Sequence, residues 1–444
     1  MDNVVVQPFQ GPASGEAHVP GSKSISNRAL ILALLSEGSV CIGNLLNSQD
    51  TEVLREAFRE LGVGVREEDP AIHIEGCAGQ VKERDTSIHV ENAGTVARFL
   101  PAALSLLPCG KFRFEGSEAM MKRPMAGLLD SIRALGSRIE CRGDEGFFPF
   151  DLHPAGWTPS ELSVDAAGSS QILSGLLIAA TRAPHPMKIR LSGETVSKPF
   201  VEMTVRMIRQ FGGTIEYNDP YYEIEPGLTG PALMKYEVEP DASAASYFFG
   251  LPIAVGGSTS ISSLPQKSLQ GDLAFVEVLE NIGLFVHRSE TSISVEGSPR
   301  HTSWDINFNA FSDTFLTLAA LSPLLPGPTH ITGIAHTRHQ ETDRITAMAT
   351  ELRKLGQRVE ETEDSLTIHP DREKLISLSR TGPIAIETYD DHRVAMSFAI
   401  LGSHDLHGDA RGWIKILNPN CCRKTFPGFF EELARMRLIA NSSQ

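Results

Sequence analysis

Residues 21–35 read GSKSISNRALILALL, in which small polar residues are followed by an apolar run without proline. Serine and glycine are favoured at helix N-caps, and a helix that is apolar on every side belongs inside a fold. Five further openings of this kind are Asn92-Ala93-Gly94-Thr95, Gly168-Ser169-Ser170-Gln171, Asp241-Ala242-Ser243-Ala244, Phe311-Ser312-Asp313-Thr314 and Tyr389-Asp390-Asp391-His392. Their spacing of roughly 70 to 80 residues exceeds the common solenoid periods, so it indicates six copies of a larger unit.

A second, amphipathic helix is predicted between successive openings, at residues 51–61, 124–135, 201–211, 275–282 and 344–355. Several of these helices are followed by a glycine, which is a C-cap signal, as at Gly62, Gly136, Gly212 and Gly356. Alternating β-branched residues come next, as in residues 214–217, and predict strands. Six mixed helix–strand copies, divided three and three, predict two similar α/β domains with the apolar helices inside their sheets.

The composition limits the location and the partners. A chain of 444 residues is too long for one ordinary hydrophobic core, which also favours two domains. The net charge of −15 argues against nucleic acid and anionic membranes as partners. No apolar run approaches the roughly 20 residues that span a bilayer, and residues 1–21 lack a secretory pattern, so a cytoplasmic protein, or a mature chain already stripped of a leader, is expected. None of the six cysteines forms a Cys-x-x-Cys pair, which favours free thiols.

Basic residues lie beside the helix openings or beside proline-marked turns. They are Lys23, Arg28, Arg98, Lys122, Arg123, Lys198, Arg338, Arg344, Arg393 and Lys424. Helix N-termini attract anions through free N–H groups and the helix dipole, and cationic side chains add charge-assisted hydrogen bonds. The sequence therefore predicts recognition of phosphate or carboxylate groups. Taken one at a time, N-capping explains each opening and solvent exposure explains each cation.

Two carboxylates stand among these cations. Asp313 lies at a helix opening, where capping alone would explain it, and Glu341 precedes Arg344, where a surface ion pair would explain it equally well. A carboxylate among cations is also what proton transfer in an anionic site requires. The sequence lacks Gly-x-x-x-x-Gly-Lys-Ser/Thr, a post-strand Gly-x-Gly-x-x-Gly and His-Glu-x-x-His, and its fourteen histidines are scattered. Neither a nucleoside-triphosphate loop nor a metal site is expected.

Short blocks of sequence occur in a fixed order along the chain. They are residues 20–28 (PGSKSISNR), residues 92–98 (NAGTVAR), Arg123-Pro124, Ser169-Ser170-Gln171, Ser197-Lys198-Pro199, Asp241-Ala242-Ser243, Glu341-Thr342-Asp343-Arg344, Asp391-His392-Arg393 and Lys424-Thr425-Phe426-Pro427. One block alone is a weak signal, but their order and spacing resemble the EPSP synthase family from about Val19 to about Met436. The resemblance implies a two-domain inside-out α/β barrel of six βαβαββ repeats, three per domain. Residues 1–19 and 240–444 would form a discontinuous domain and residues 20–239 a continuous one, with the active site in the cleft between them.

The resemblance also implies roles for individual residues. Those implied in binding shikimate 3-phosphate are Lys23, Ser24, Arg28, Ser169, Ser170, Gln171, Ser197, Asp313 and Gln340. Those implied in binding phosphoenolpyruvate are Lys23, Asn92, Gly94, Thr95, Arg123, Gln171, Arg344, Arg393 and Lys424. Lys23, Asp313 and Glu341 are the implied catalytic groups. No metal and no organic cofactor is implied, and a monomer acting on these two small molecules is expected.

The implied reaction transfers the enolpyruvyl group of phosphoenolpyruvate to the 5-hydroxyl of shikimate 3-phosphate, in aromatic amino-acid biosynthesis. The hydroxyl adds to C2 while C3 is protonated, and the tetrahedral intermediate then loses phosphate and the C3 proton. Glu341 is the expected proton donor and acceptor at C3, and Asp313 the expected base near the hydroxyl. Glyphosate, which is similar to phosphoenolpyruvate in charge and size, is expected to compete for its subsite.

Three positions depart from the family pattern, all on the side of the acceptor substrate. Gln340 replaces a frequent Lys, His336 a frequent Asn and Phe200 a common Tyr. A related transferase with another cyclic alcohol acceptor therefore stays open as an alternative. Transferases acting on UDP-N-acetylglucosamine usually carry a cysteine before their Arg-Pro, whereas residues 116–124 contain none. The further alternative, a non-catalytic anion-binding protein of the same fold, is disfavoured by the complete set of Lys23, Asp313, Glu341 and Lys424.

Overall fold

The computed structural model describes residues 3–165, 169–192, 198–300 and 303–442. The α-helices in these ranges are α1 (Lys23–Leu35), α2 (Gln49–Glu60), α3 (Gly94–Leu104), α4 (Glu118–Met121), α5 (Ala126–Ala134), α6 (Ser170–Ala180), α7 (Lys198–Gln210), α8 (Ala242–Val255), α9 (Phe275–Ile282), α10 (Phe315–Leu321), α11 (Arg344–Lys354), α12 (Arg372–Ser379), α13 (His392–Gly402) and α14 (Phe429–Ser442). None of the helices in the described ranges combines the length and the apolar character needed to cross a membrane.

The strands in the same ranges form six sheets. They are β1 (Asn3–Val5), β2 (Ser39–Gly43), β3 (Val65–Glu68), β4 (Ala71–Glu75), β5 (Asp85–His89), β6 (Lys111–Glu115), β7 (Arg138–Cys141), β8 (Phe150–His153), β9 (Glu161–Asp165), β10 (Met187–Ser192), β11 (Gly213–Asn218), β12 (Tyr221–Leu228), β13 (Leu233–Glu237), β14 (Ser258–Ser262), β15 (Phe285–Arg288), β16 (Ser292–Glu296), β17 (Trp304–Asn307), β18 (Thr329–Thr332), β19 (Arg358–Glu361), β20 (Leu366–His369), β21 (Ile384–Ile386) and β22 (Ile414–Leu417).

The chain divides into two compact units. A discontinuous unit contains Met1–Pro20 and Glu239–Gln444, and a continuous unit contains Gly21–Val238. The predicted boundaries, 1–19 with 240–444 and 20–239, differ from these by one residue.

The continuous unit contains three four-stranded sheets with one design. Their strand orders are β13-β2-β4-β3, β5-β6-β8-β7 and β9-β10-β12-β11. In each sheet the first two strands are parallel and the remaining neighbours are antiparallel. Parallel strands need a crossover, and the buried helices α3 and α6 supply it between β5 and β6 and between β9 and β10. Each repeat is therefore βαβαββ, and the first repeat takes its first strand, β13, from the end of the unit.

The discontinuous unit repeats this design with strands from both ends of the chain. Its complete sheet has the order β17-β18-β20-β19, and its two shorter sheets have the orders β14-β16-β15 and β1-β22-β21. Strand β1 pairs antiparallel with β22, while Ala13 makes a parallel bridge to Gly257, next to β14, and Glu16 makes one to Ser260 within β14. The N-terminal segment therefore completes the last repeat and contacts the first, which confirms the predicted fold of six βαβαββ repeats.

The six predicted openings each lead into a helix, namely α1, α3, α6, α8, α10 and α13. These helices are almost wholly buried, as their apolar sequences predict; α3 and α13, for example, expose no residue. The second helices lie within about three residues of their predicted ends, and the glycines named as C-cap signals have positive φ values of +73° to +116°. One local prediction needs correction: Asp313 lies in a 3₁₀ turn, Ser312–Thr314, before α10, and does not cap that helix.

Candidate functional site

In the continuous unit, α3 and α6 begin beside the same segment of chain. Arg98 on α3 donates from Nη2 to the carbonyl oxygen of Pro124 at 3.2 Å. A Cβ atom on Gly127 would lie 3.3 Å from Ile172 Cδ1, near the start of α6. Because both helix starts adjoin residues 123–127, the two helices run in the same direction with their free N–H groups at one end.

Arg28 joins α1 to these helices. It is 1% exposed, and it donates to Thr204 Oγ1 at 2.8 Å, the Ser24 carbonyl at 3.0 Å, Ser174 Oγ at 3.2 Å and the Phe200 carbonyl at 3.1 Å. All these acceptors are neutral, and burial lowers the pKa of Arg28 to about 9. A buried cation without an anionic partner is costly, so a nearby anionic ligand would stabilise it.

Arg98 repeats this arrangement one helix further on. It is 4% exposed and donates to the Gly94 carbonyl at 3.1 Å as well as to Pro124. Burial, together with the charge of Arg123, lowers the pKa of Arg98 to about 9. Two buried guanidinium groups with only neutral acceptors among the described residues give this end of the unit a positive potential.

The remaining predicted residues of the continuous unit lie at the same helix starts. Asn92 Oδ1, Thr95 Oγ1 and Gln171 Oε1 are buried polar atoms with no hydrogen-bond partner among the described residues. Ser169 caps α6 by accepting from the Gln171 N–H at 3.3 Å, and Ser170 is 7% exposed. Buried polar atoms are normally satisfied, so these groups are suited to a polar ligand.

Three predicted residues of this unit have simpler positions. Lys23 and Ser24 are the first two residues of α1 and are partly exposed. Ser197 lies outside the described residues.

In the discontinuous unit, α8, α10 and α13 also begin together. Ser246 and Thr317 exchange a hydrogen bond of 2.9 Å, and a Cβ on Gly250 would lie 2.8 Å from Leu321 Cδ1. Both members of the second contact lie four residues beyond those of the first, so α8 and α10 run in the same direction.

An ion-pair network links the starts of α10, α11 and α13. Arg344 donates from Nη1 to Asp313 Oδ1 at 2.8 Å and from Nε to Asp391 Oδ2 at 2.7 Å. Arg393 donates from Nη2 to Asp313 Oδ2 at 2.7 Å. The carboxylates raise the pKa values of both arginines although burial opposes this, so both stay charged. Asp313 is thus shared by two cations, and its side chain keeps 19% of its surface exposed.

A second cluster surrounds Glu341, whose side chain is 10% exposed. Lys424 Nζ lies 2.9 Å from Glu341 Oε1, and His392 Nδ1 lies 3.0 Å from Glu341 Oε2. Burial lowers the pKa of His392 in spite of the two carboxylates near it, so the ring is neutral at neutral pH. The interpretation of Glu341 as a surface ion pair is wrong, because the group is largely buried beside the first network.

The three departures on the acceptor side have different settings. Gln340 Oε1 accepts a hydrogen bond from Arg344 Nη1, which the sequence did not predict. His336 Nε2 lies 2.8 Å from Ser312 Oγ, and burial lowers the pKa of His336. Phe200 contributes its carbonyl oxygen to Arg28. Gln340 therefore contacts Arg344, which the family resemblance assigns to phosphoenolpyruvate, the substrate that donates the enolpyruvyl group.

Candidate metal ligands come together in two groups of the described residues. Their ligand atoms lie within 4.8 Å of one another in Glu140, Asp151 and His153, and in Glu341, Asp391 and His392. Cations of the chain already hold these carboxylates: Arg113 Nε and Arg142 Nε each lie 3.0 Å from Asp151, and Lys424 and Arg344 occupy the second group. Such pairing favours ion-pair chemistry over metal binding at both places.

Sequence reasoning gave no role to Asp391, His392 or Thr204. Asp391 and His392 belong to the sixth helix opening, so their position beside Arg393 was the available signal. Asp391 is fully buried and holds Arg344, and it also accepts from the Arg393 N–H at 2.8 Å. Thr204 lies on α7 and contacts Arg28, and nothing in its local sequence distinguishes it.

Fold and site together define an α/β protein of six repeats that gathers cations and carboxylates at helix starts, as an enzyme for small anions requires. A family model described as EPSP synthase (3-phosphoshikimate 1-carboxyvinyltransferase) matches residues 9–433. The chain belongs to the EPSP synthase family.

Similar proteins extend over nearly the whole chain. A 3-phosphoshikimate 1-carboxyvinyltransferase of Opitutus terrae is 45% identical over 444 residues, covering 98% of each chain. One of Nitrosomonas europaea is 38% identical over 427 residues, covering 95% of this chain and 96% of that protein. A solved structure of EPSP synthase from Acinetobacter baumannii has a TM-score of 0.78 at 24% identity, covers 97% of both chains, and shows the same fold.

Proposed function

We propose that the protein transfers the enolpyruvyl group of phosphoenolpyruvate to the 5-hydroxyl of shikimate 3-phosphate, releasing phosphate. The observation that carries the proposal is the paired arrangement of two carboxylates with cations at adjoining helix starts. Asp313 is held by Arg344 and Arg393, and Glu341 by Lys424. Such a site supplies proton-transfer groups and charge stabilisation for anionic substrates without a metal or an organic cofactor.

The donor substrate is proposed to bind the two arginines that now hold Asp313. A carboxylate or phosphate oxygen competes directly for the guanidinium N–H groups of Arg344 and Arg393. Asp313 would then lose one or both of its cationic partners, and a carboxylate that loses an ion pair gains proton affinity. Donor binding thereby converts Asp313 from an ion-pair partner into a base for the acceptor hydroxyl.

Glu341 is proposed to protonate C3 of phosphoenolpyruvate and later to take the proton back. Its contact with Lys424 stabilises the ionised carboxylate between these steps, and the neutral ring of His392 orients its other oxygen. In the addition step, the hydroxyl oxygen bonds to C2, its proton goes to the base, and C3 gains a proton. In the elimination step, C2 releases phosphate, which takes the proton held by Asp313, and C3 returns its proton to Glu341, so both carboxyl groups regain their starting states.

The continuous unit is proposed to supply the remaining anion contacts. Lys23, Asn92, Gly94, Thr95, Arg123 and Gln171 are assigned to phosphoenolpyruvate, together with Arg344, Arg393 and Lys424; Lys23, Ser24, Arg28, Ser169, Ser170, Gln171 and Ser197 are assigned to shikimate 3-phosphate, together with Asp313 and Gln340. The positive potential around Arg28 and Arg98 supports this assignment.

We also propose that the protein works in the cytoplasm, as a monomer, without nucleic acid or membrane partners. The cysteines Cys41, Cys77, Cys109, Cys141, Cys421 and Cys422 are free thiols, as a reducing compartment favours. Size-exclusion chromatography with light scattering would measure the mass directly; a dimer mass would contradict the monomer.

Phosphate release in the presence of both substrates tests the proposed function. The assay should give turnover only when phosphoenolpyruvate and shikimate 3-phosphate are both present. Shikimate without its phosphate and UDP-N-acetylglucosamine serve as alternative acceptors, because the setting of Gln340 and His336 raises the question of acceptor identity. Faster turnover with another alcohol would show that this alcohol, and not shikimate 3-phosphate, is the acceptor substrate. Absence of turnover with every acceptor would favour a non-catalytic anion-binding protein.

A further inference from the structure

A buried carboxyl group, Asp272, lies behind the network around Asp313. It belongs to a 3₁₀ turn, Gly271–Ala274, that packs against α8 and against the turn carrying Asp313. Asp272 is 5% exposed, and its Oδ2 accepts from Ser243 Oγ at 2.8 Å. Its Oδ1 is buried and has no hydrogen-bond partner among the described residues.

The neighbouring carboxylates are held differently. Asp313 is paired with two arginines, and Asp391 with Arg344 and a backbone N–H. Asp241 accepts the Ala244 N–H at 2.8 Å as the N-cap of α8. Within the described part of the chain, Asp272 accepts only from the neutral hydroxyl of Ser243, which leaves its ionised form poorly stabilised in a buried setting.

The charged groups around Asp272 oppose one another. Burial raises the pKa of Asp272, the charge of Asp313 raises it further, Arg393 and Ser243 lower it, and Asp241 raises it. The outcome is a pKa of about 7, so the group changes charge close to neutral pH. Arg393 is the cation that favours the ionised form, and it is also an arginine assigned to the donor substrate.

We propose that Asp272 is a positioning residue that takes up a proton when the anionic donor substrate binds Arg344 and Arg393. The inference rests on the proposed function, because it uses the donor subsite assigned there. Bound anionic groups neutralise Arg393 and add negative charge near Asp272, and both effects favour the neutral carboxyl group. The proton comes from the solvent, a bond forms between it and a carboxylate oxygen, and no bond in the substrate changes. Protonation of Asp272 removes its repulsion with the carboxylate of Asp313, which is paired with Arg393.

Proton uptake makes the affinity for the donor substrate depend on pH, which a purely structural role of Asp272 would not do. Affinity for the donor should fall as pH rises through about 7, because ionised Asp272 must first be protonated. Asp272→Asn keeps an oxygen for Ser243 and is always neutral, so its affinity should not show this fall. If only protein with a neutral Asp272 binds the donor, the Asp272→Asn variant should bind it up to about thirtyfold more tightly than the wild type at about pH 8.5.

Calorimetric titration of glyphosate into protein saturated with shikimate 3-phosphate measures this without turnover. Titrations in two buffers of different ionisation enthalpy count the protons taken up, and the difference between wild type and Asp272→Asn removes glyphosate's own ionisation. We expect proton uptake above neutral pH in the wild type and clearly less in the variant. Parallel measurement of KM for phosphoenolpyruvate should show the same pH dependence in KM, with kcat little changed.

Two further variants make the test independent of one substitution. Ser243→Ala removes the hydrogen bond that favours ionised Asp272, so the fall in affinity should move to higher pH. Asp50→Asn, at an aspartate that is 3% exposed in the continuous unit, is the matched control and should keep the wild-type profile. Equal proton uptake by wild type and Asp272→Asn, or weaker binding by the variant at every pH, would overturn the inference. Absence of turnover by the wild-type protein with both substrates would instead contradict the proposed function.

Discussion

Replacing Glu341 by glutamine removes the titrating group proposed for C3 while keeping the size and shape of the side chain. The amide oxygen can still accept from Lys424, which lies 2.9 Å from the present carboxylate oxygen. Because glutamine has nearly the same volume as glutamate, the substitution leaves no cavity around this side chain, which is 10% exposed. Binding of both substrates should therefore survive, whereas the proton donor and acceptor at C3 is lost.

The expected loss lies in kcat. Positioned general acid–base groups contribute typically about 10²- to 10⁴-fold, which corresponds to about 3 to 5 kcal/mol of barrier. The stability cost should be near 1 kcal/mol, because a charge-assisted hydrogen bond from Lys424 becomes a weaker one to a neutral oxygen. Phosphate release measures kcat, and calorimetric binding of shikimate 3-phosphate shows that the site is intact.

Glu351→Gln is the matched control for this prediction. Glu351 is a fully buried glutamate that pairs with Lys354 Nζ at 2.7 Å and accepts from Tyr389 OH at 2.6 Å, away from any proposed catalytic role. Its replacement should lower stability at least as much as the Glu341 variant, with kcat near the wild-type value. Equal kcat losses in the two variants, or wild-type turnover by Glu341→Gln, would refute the proposed role of Glu341.

Three further predictions use other parts of the two units. A Cβ on Gly94 would lie 2.8 Å from Arg123 Nη2, so Gly94→Ala should displace that guanidinium and weaken glyphosate inhibition more than it raises KM for phosphoenolpyruvate; equal changes would show that Gly94 is misplaced. Gln340→Lys adds a cation beside the proposed acceptor phosphate and should lower KM for shikimate 3-phosphate by up to about tenfold, with a smaller change in KM for phosphoenolpyruvate; an unchanged KM for shikimate 3-phosphate would contradict this. The hydrogen bond from Arg113 lowers the pKa of Asp151 to about 2. The ionised Asp151 carboxylate therefore stabilises the folded state above about pH 4, and this contribution is lost as pH falls through about 2. In an acid-unfolding experiment, Asp151→Asn should flatten the part of the stability curve in this pH range.

The repeat architecture could be predicted because the buried helices have mostly apolar sequences that recur at regular intervals along the chain. Helices such as α3 and α13 are buried and mostly apolar because they lie inside their units, and glycines such as Gly62 follow the amphipathic helices. Strand partners that join distant segments were not readable. The parallel pairing of β13 with β2 and the pairing of β1 with β22 depend on where the chain returns, which no local pattern records.

The candidate site was predicted as a set of residues rather than as a geometry. Sequence position placed Asp313, Glu341 and the arginines beside helix starts, but the sharing of Asp313 between Arg344 and Arg393 is a tertiary contact. The engagement of Gln340 by Arg344 escaped prediction for the same reason. Asp272 has an ordinary local sequence, and its unusual setting arises only because its turn packs against the starts of two other helices.

Turnover in heavy water tests the central claim most directly, because addition and elimination must pass through a methyl group at C3. Protonation by the solvent-exchanged Glu341 carboxyl places deuterium on that methyl group, and elimination then removes any one of its three hydrogens. We predict deuterium in the vinyl group of the product and in recovered phosphoenolpyruvate, only when shikimate 3-phosphate is present, with incorporation strongly reduced in Glu341→Gln. A product formed at the wild-type rate with no deuterium at C3 would contradict the account.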